Sequence, residues 1–205
     1  AEKHFKKINN KIELAKVYLN KSVVQYNVGD FSGASLNASK SYYILKNLPK
    51  SELQLYQILT ISGNIANELG EYDKAIEYHK KALDVVKSNI FNNDQPNIGV
   101  CLNNIGNTYK NKGEYKKSIE YFKNGLKDDK LQNDPELLAL LYDNLGYSKL
   151  KIKDFIDVPS VFFKAKKISD SLKNIKMPVG FVLNEEYSKQ PTELDKYSLK
   201  WDGEW

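Results

Sequence analysis

Small and apolar residues recur in this chain with the rhythm of a helix face. Ala34, Ala38 and Ser41 are echoed by Ala75, His79 and Ala82, by Ser118, Phe122 and Gly125, and by Val158, Phe162 and Ala165. Steps of four and three place each trio on one stripe of an α-helix. A second small residue precedes each trio by twelve places: Ser22, Gly63, Gly106 and Gly146. Small residues at matched points let two helices approach closely, so the trio and its outlier read as the contact line of a helix pair. Between them lies a recurring triplet, Gly29-Asp30-Phe31, Gly70-Glu71-Tyr72, Gly113-Glu114-Tyr115 and a degenerate Lys153-Asp154-Phe155, at intervals of 41, 43 and 40 residues. Glycine accepts the positive φ that ends a helix, and the acid after it favours the start of the next. The unit is helix, tight turn, helix, and a near-constant period marks a repeat array.

Four repeats follow, over about residues 12–48, 52–90, 96–130 and 135–173, with a degenerate fifth repeat or cap over about 178–200. They form one all-α domain in which each repeat contacts its neighbours. Residues 2–21 read as a helix running into the first repeat. Beyond the fourth repeat, Pro178 restarts the chain, Val179–Tyr187 reads as a short apolar helix, and Pro191 opens another that ends near Lys200. The tail Trp201–Trp205 carries two large aromatic rings, suited to folding back, to another chain, to a protein that continues beyond them, or to disorder. Segments rich in Asn, Asp and Pro, Asn89–Asn97 and Leu131–Pro135, place the extra length of each period between repeats.

Leu102, Ile105, Gly106, Tyr109, Gly113, Tyr115, Phe122 and Leu126 follow the pattern of the tetratricopeptide repeat, which this chain resembles most closely over Asn64–Val86 and Cys101–Leu126 and more loosely over Val17–Leu45 and Leu141–Ile168. A standard repeat of that family has about 34 residues. The longer units here are similar to those of kinesin light chains and of bacterial signalling regulators, including sensor regions of Bacteroidetes type. The resemblance implies a right-handed α–α superhelical solenoid of antiparallel helix pairs. It also implies a concave groove lined by the first helix of each pair. Projected onto this chain, the inward positions hold Asn20 and Val23, Ile61 and Asn64, Asn104 and Asn107, and Asn144 and Tyr147, with Tyr26, Asn67, Asn103, Lys110, Asp143 and Lys151 around them. An amide side chain both donates and accepts hydrogen bonds, so a ladder of asparagines suits the main chain of an extended peptide. The places where family members carry a cationic clamp for an Hsp90-type tail hold Leu19, Thr60, Asn103 and Asp143, which argues against that ligand.

Composition narrows the picture. A net charge of +5 comes entirely from lysine, with no arginine. Lysine lacks the planar fork that reads guanine or clamps phosphate, and the lysines alternate with acids along helix faces, so direct nucleic-acid binding is not expected. No apolar stretch reaches the ~18 residues of a membrane span. The single cysteine, Cys101, excludes an internal disulfide framework and leaves cytoplasm and periplasm both open. Two histidines and one cysteine are too few for most metal or nucleophile constellations. His79 stands where the neighbouring repeats place an aromatic core residue, and Cys101 reads as a small packing residue. Glu185-Glu186 and Asp128-Asp129 read as helix surface. With no phosphate loop, nucleophile elbow or metalloprotease helix, the expectation is a non-catalytic module without cofactors. It would hold a peptide or protein, as the sensor or scaffold part of a bacterial signalling protein. The alternative is a scaffold that self-associates, with a homodimer left open.

Overall fold

The computed structural model describes residues 11–88, 96–128, 131 and 133–172. Over these residues the chain forms α1 (Lys11–Asn27), α2 (Phe31–Leu45), α3 (Glu52–Glu68), α4 (Tyr72–Ser88), α5 (Ile98–Asn111), α6 (Tyr115–Gly125), α7 (Pro135–Lys151) and α8 (Val158–Ser171). No strand occurs among the described residues. The helices pack as consecutive antiparallel pairs, α1 with α2, α3 with α4, α5 with α6 and α7 with α8, and the second helix of each pair rests on the first helix of the next. First helices also touch along the array, α1 with α3, α3 with α5 and α5 with α7, whereas successive second helices do not approach one another comparably. A stack drawn together along one row curves toward that row. The result is a superhelical solenoid with α1, α3, α5 and α7 on its inner side.

Each pair turns on the triplet seen in the sequence. Gly29, Gly70 and Gly113 have φ of 81°, 75° and 83°, and Lys153, which replaces glycine in the fourth pair, has φ 59°. All four turns share one hydrogen-bond pattern. The anchor N–H donates to the carbonyl three residues back, and the next N–H donates five residues back, as Asp30 to Gln25 (2.8 Å), Glu71 to Ala66 (2.8 Å), Glu114 to Tyr109 (2.9 Å) and Asp154 to Lys149 (3.0 Å). This satisfies carbonyls that the helix end leaves open. A left-handed conformation costs a residue with a Cβ about 1–2 kcal/mol. Replacing the exposed Lys153 by Gly should therefore raise stability by about 0.5–1 kcal/mol, read as a higher urea midpoint; an unchanged or lower midpoint would contradict this account of the turn.

The contact line within each pair is a slot and its filler. A Cβ on Gly106 would lie 2.6 Å from the Phe122 ring, one on Gly146 2.6 Å from Phe162, and one on Gly63 2.3 Å from the imidazole of His79. In the first pair both sides are small, and hydroxyls stitch the helices instead: Ser22 donates to the Ala34 carbonyl and Ser41 to that of Ala15, each at 2.9 Å. Asp128 corrects the expectation of a helix-surface acid. It lies beyond the end of α6, and its carboxylate accepts the Gly99 N–H at 3.0 Å, so the exit of the third pair closes on its entry. Lys149, only 4% exposed, is held by the carboxylates of Asp157 and Asp154 across the fourth turn. Burial works against its charge and the two carboxylates more than offset that, so the ammonium titrates above the usual lysine range.

The expectations for residues 2–10, Val179–Tyr187, Pro191–Lys200 and the tail Trp201–Trp205 lie outside the described residues, as do those for 89–95.

Candidate functional site

The inner helices cannot be apolar on both sides. One stripe of each faces its own partner helix. The structure sorts the asparagines singled out by sequence on α3, α5 and α7 into two groups.

The first group links one inner helix to the next. Asn111 of α5 donates to Asn67 Oδ1 of α3 at 3.1 Å. Asn144 of α7 donates to Asn103 Oδ1 of α5 at 3.2 Å, and Lys110 donates to Asn144 Oδ1 at 2.7 Å. Asn103 and Asn144 are only 7% and 6% exposed. The Asn144 amide is engaged on both sides and Asn103 through its oxygen, which ties α5 to α7. The second group is Asn64, Asn104 and Asn107, half-buried on α3 and α5. No hydrogen bond ties the side chain of any of the three to another described residue. Asn20 lies exposed on α1, away from this lattice of amides.

Between α5 and α7 two lysines share one aromatic ring. Lys110 and Lys151 stand over the ring of the half-buried Tyr147, with Nζ 5.5 and 5.2 Å from its centroid. Burial pushes the Lys110 ammonium below its usual range, against the opposing pull of Asp143. At the other end, burial and the charge of Glu68 raise the Tyr26 phenol. Sequence reasoning missed Asn111. The signal was available, because 44 places separate it from Asn67 and the repeat period is close to that.

The residues most often used for chemistry are placed elsewhere. His79 is 2% exposed in the slot between α3 and α4, and burial pushes its pKa down to about 4. Cys101 is buried on α5 within hydrogen-bond reach of Tyr56, and desolvation lifts its thiol to about 12. A thiol so raised is a poor nucleophile at neutral pH. Among the described residues no three His, Cys, Asp or Glu side chains gather as a metal site, and no helix is long and apolar enough to cross a membrane.

Residues 54–129, which hold the glycine-anchored turns at Gly70 and Gly113 and the three uncommitted amides, match the family model of the tetratricopeptide repeat. This segment consists of tetratricopeptide repeats. No curated protein sequence matches the chain. Among solved structures, the chain is similar to the apo form of RapI, with 20% identity and a TM-score of 0.80 over 98% of this chain and 72% of that one. It is also similar to aspartyl phosphate phosphatase F from Bacillus subtilis, with 21% identity and a TM-score of 0.75 over 85% of this chain and 45% of that one. BtubC from P. vanneervenii shares 19% identity with a TM-score of 0.67, over 82% and 66% of the two chains. At these identities the likeness is one of fold.

Proposed function

We propose that this tetratricopeptide array is an interaction module that holds an extended peptide, or an extended segment of a partner protein, along its concave side. The observation that carries this reading is the row of Asn64, Asn104 and Asn107, half-exposed amides whose donors and acceptors no other described residue takes up. Each can exchange two hydrogen bonds with a peptide main chain. The engaged amides beside them, Asn67 with Asn111 and Asn103 with Asn144, hold the inner helices at fixed spacing, so the row is organised before a ligand arrives. Preorganisation of this kind lowers the entropy cost of binding.

The probe is a peptide selected from a randomised library of short unstructured peptides displayed against the protein. Replacing Asn64, Asn104 and Asn107 together by Ala should weaken that peptide by about 100-fold or more, since about 1 kcal/mol per lost hydrogen bond accumulates over the three sites. The helical circular dichroism should not change. Unaltered affinity in a calorimetric titration would remove the groove as the site. Within this reading the chain acts as a sensor or scaffold in bacterial signalling, a role supported by its fold likeness to RapI and to the Bacillus subtilis phosphatase, of which it spans 45%. Self-association is the second reading, favoured by the exposed Val24, Val28, Leu36 and Tyr43 of the first pair. Light scattering over a range of concentrations separates the two.

A further inference from the structure

On α2, the side opposite the contact line of Ala34, Ala38 and Ser41 carries Leu36 and Tyr43, 57% and 73% exposed. They stand seven and fourteen places after the anchor of the turn. At those places the later repeats hold Glu77 and Asp84, Glu120 and Lys127, and Ser160 and Lys167. The repeat therefore accepts polar and charged groups there, and nothing in its packing asks for exposed apolar ones. Seven residues separate Leu36 from Tyr43, two helical turns or about 10 Å along one stripe. The frame around them is cationic. Lys40 lies between them on the stripe, Lys46 holds its Nζ 5.0 Å from the centroid of the Tyr43 ring, and Lys50 follows, all three exposed. Residues 31–51 contain no Asp or Glu. The acid at the start of α2, Asp30, is committed to the Gly33 N–H and to Gln25. Lys40 and Lys46 contact the rings of Tyr18 and Tyr43, and no acid among the described residues pairs with either. The later second helices differ: Lys81 pairs with Glu77 on α4, Lys117 with Glu114 at the start of α6, and Lys166 with Asp170 on α8.

We propose that the outer face of α2 docks an acidic amphipathic helix of a partner protein, whose apolar residues cover Leu36 and Tyr43 and whose carboxylates meet Lys40 and Lys46. A helix suits the face because apolar side chains at its own i and i+7 repeat the same two-turn spacing. A second copy of the chain laid α2 against α2 would set lysine against lysine, a juxtaposition that costs affinity. Three lysines without arginine make a poor clamp for the phosphates of a lipid surface or a nucleic acid. This face lies outside the row of Asn64, Asn104 and Asn107, so the inference stands independently of the groove reading.

The test displays three libraries of helix-forming peptides against the intact protein. They share randomised apolar positions along one stripe and differ in whether Glu, Gln or Lys flanks it. Selected peptides are titrated against the wild type, the double variant Leu36→Glu, Tyr43→Asp, and the double variant Lys40→Gln, Lys46→Gln, with helicity and urea midpoint checked for each. Leu36→Glu and Tyr43→Asp install what the second repeat carries at 77 and 84, so folding should be retained. The expected result is that binders come from the Glu library and lose about tenfold or more in the first variant. The lysine variant should cost about threefold, a loss that shrinks in high salt. The peptide selected for the groove should bind both variants as it binds the wild type. If no binders emerge, if they come from the Gln or Lys library, or if acidic binders ignore both variants, the docking face is overturned and the groove is untouched. Sedimentation with vesicles of phosphatidylcholine and phosphatidylserine, and light scattering of the protein alone, complete the test. Vesicle retention, or association of copies, that disappears in the Leu36→Glu, Tyr43→Asp variant would assign the face to lipid or to a second copy and overturn the proposal.

Discussion

Replacing Phe122 by Ala should cost about 3–5 kcal/mol and divide unfolding into two transitions. The ring is fully buried, fills the slot opposite Gly106, and belongs to one apolar cluster with Ile119, Leu131, Leu137, Leu141, Leu145 and Val161. Its removal therefore opens a cavity inside the third pair and loosens the seat of the fourth. Loss of a large aromatic from a core falls in the stated range. In an array whose cohesion is a sum over neighbouring contacts, a weakened junction lets the two sides melt separately. The partner substitution gives a sharper signature. Gly106→Ala alone places a Cβ 2.6 Å from the ring and should destabilise; in the Phe122→Ala background the obstruction is gone, and the same change should become stabilising by about 0.5–1 kcal/mol through helix propensity. Urea melts of the four proteins provide the cycle, and a Gly106→Ala effect of the same sign in both backgrounds would contradict the slot.

Acidification should weaken the second repeat through His79, and His79→Phe should abolish that sensitivity. The imidazole is buried against Gly63, its Nδ1 has no hydrogen-bond partner, and burial lowers its pKa to about 4. In the unfolded chain it titrates near about 6.5. Above about pH 6.5 the ring is neutral in both states. As pH falls from there toward 4, the unfolded chain takes up a proton that the folded one refuses. Stability then declines by up to about 1.4 kcal/mol per pH unit, or about 3 kcal/mol in all. Phe122 and Phe162 fill the same position opposite Gly106 and Gly146, so a phenyl ring suits this slot. His79→Phe should add about 1–2 kcal/mol at neutral pH by removing an unsatisfied buried nitrogen. The gap between variant and wild type should widen toward pH 4, while carboxylates common to both proteins cancel in the difference. A gap independent of pH would show that His79 is not the acid-sensitive group.

Much of this architecture was legible before any coordinates, because backbone constraints repeat with the period. A turn that needs φ > 0 reveals itself as glycine at Gly29, Gly70 and Gly113, and a slot for a ring reveals itself as the glycines at 63, 106 and 146. The fourth turn was harder to read. Lys153 adopts the same left-handed conformation with a side chain that does not advertise it, and the buried Lys149 beside it looks in sequence like one more surface lysine. The residues of the proposed groove were legible only as a set of positions. Which amides are engaged depends on how the twist of the stack aligns one inner helix with the next, a property of three-dimensional offset and not of composition. So Asn103 and Asn144, equal in sequence to Asn104 and Asn107, turn out to be mutually bonded. For the same reason Lys110 and Lys151, from different repeats, meet at one ring.

The central claim is that an extended ligand lies along α3 and α5 on the inside of the curve. The most direct measurement is a two-dimensional ¹H–¹⁵N spectrum with side-chain amides assigned, recorded as the selected peptide is added. Under this account the NH₂ resonances of Asn64, Asn104 and Asn107 shift together with a single saturation curve, while backbone amides on the outer faces of α4 and α6 stay in place. Shifts confined to those outer faces, with the three asparagine resonances unmoved at saturation, would contradict it.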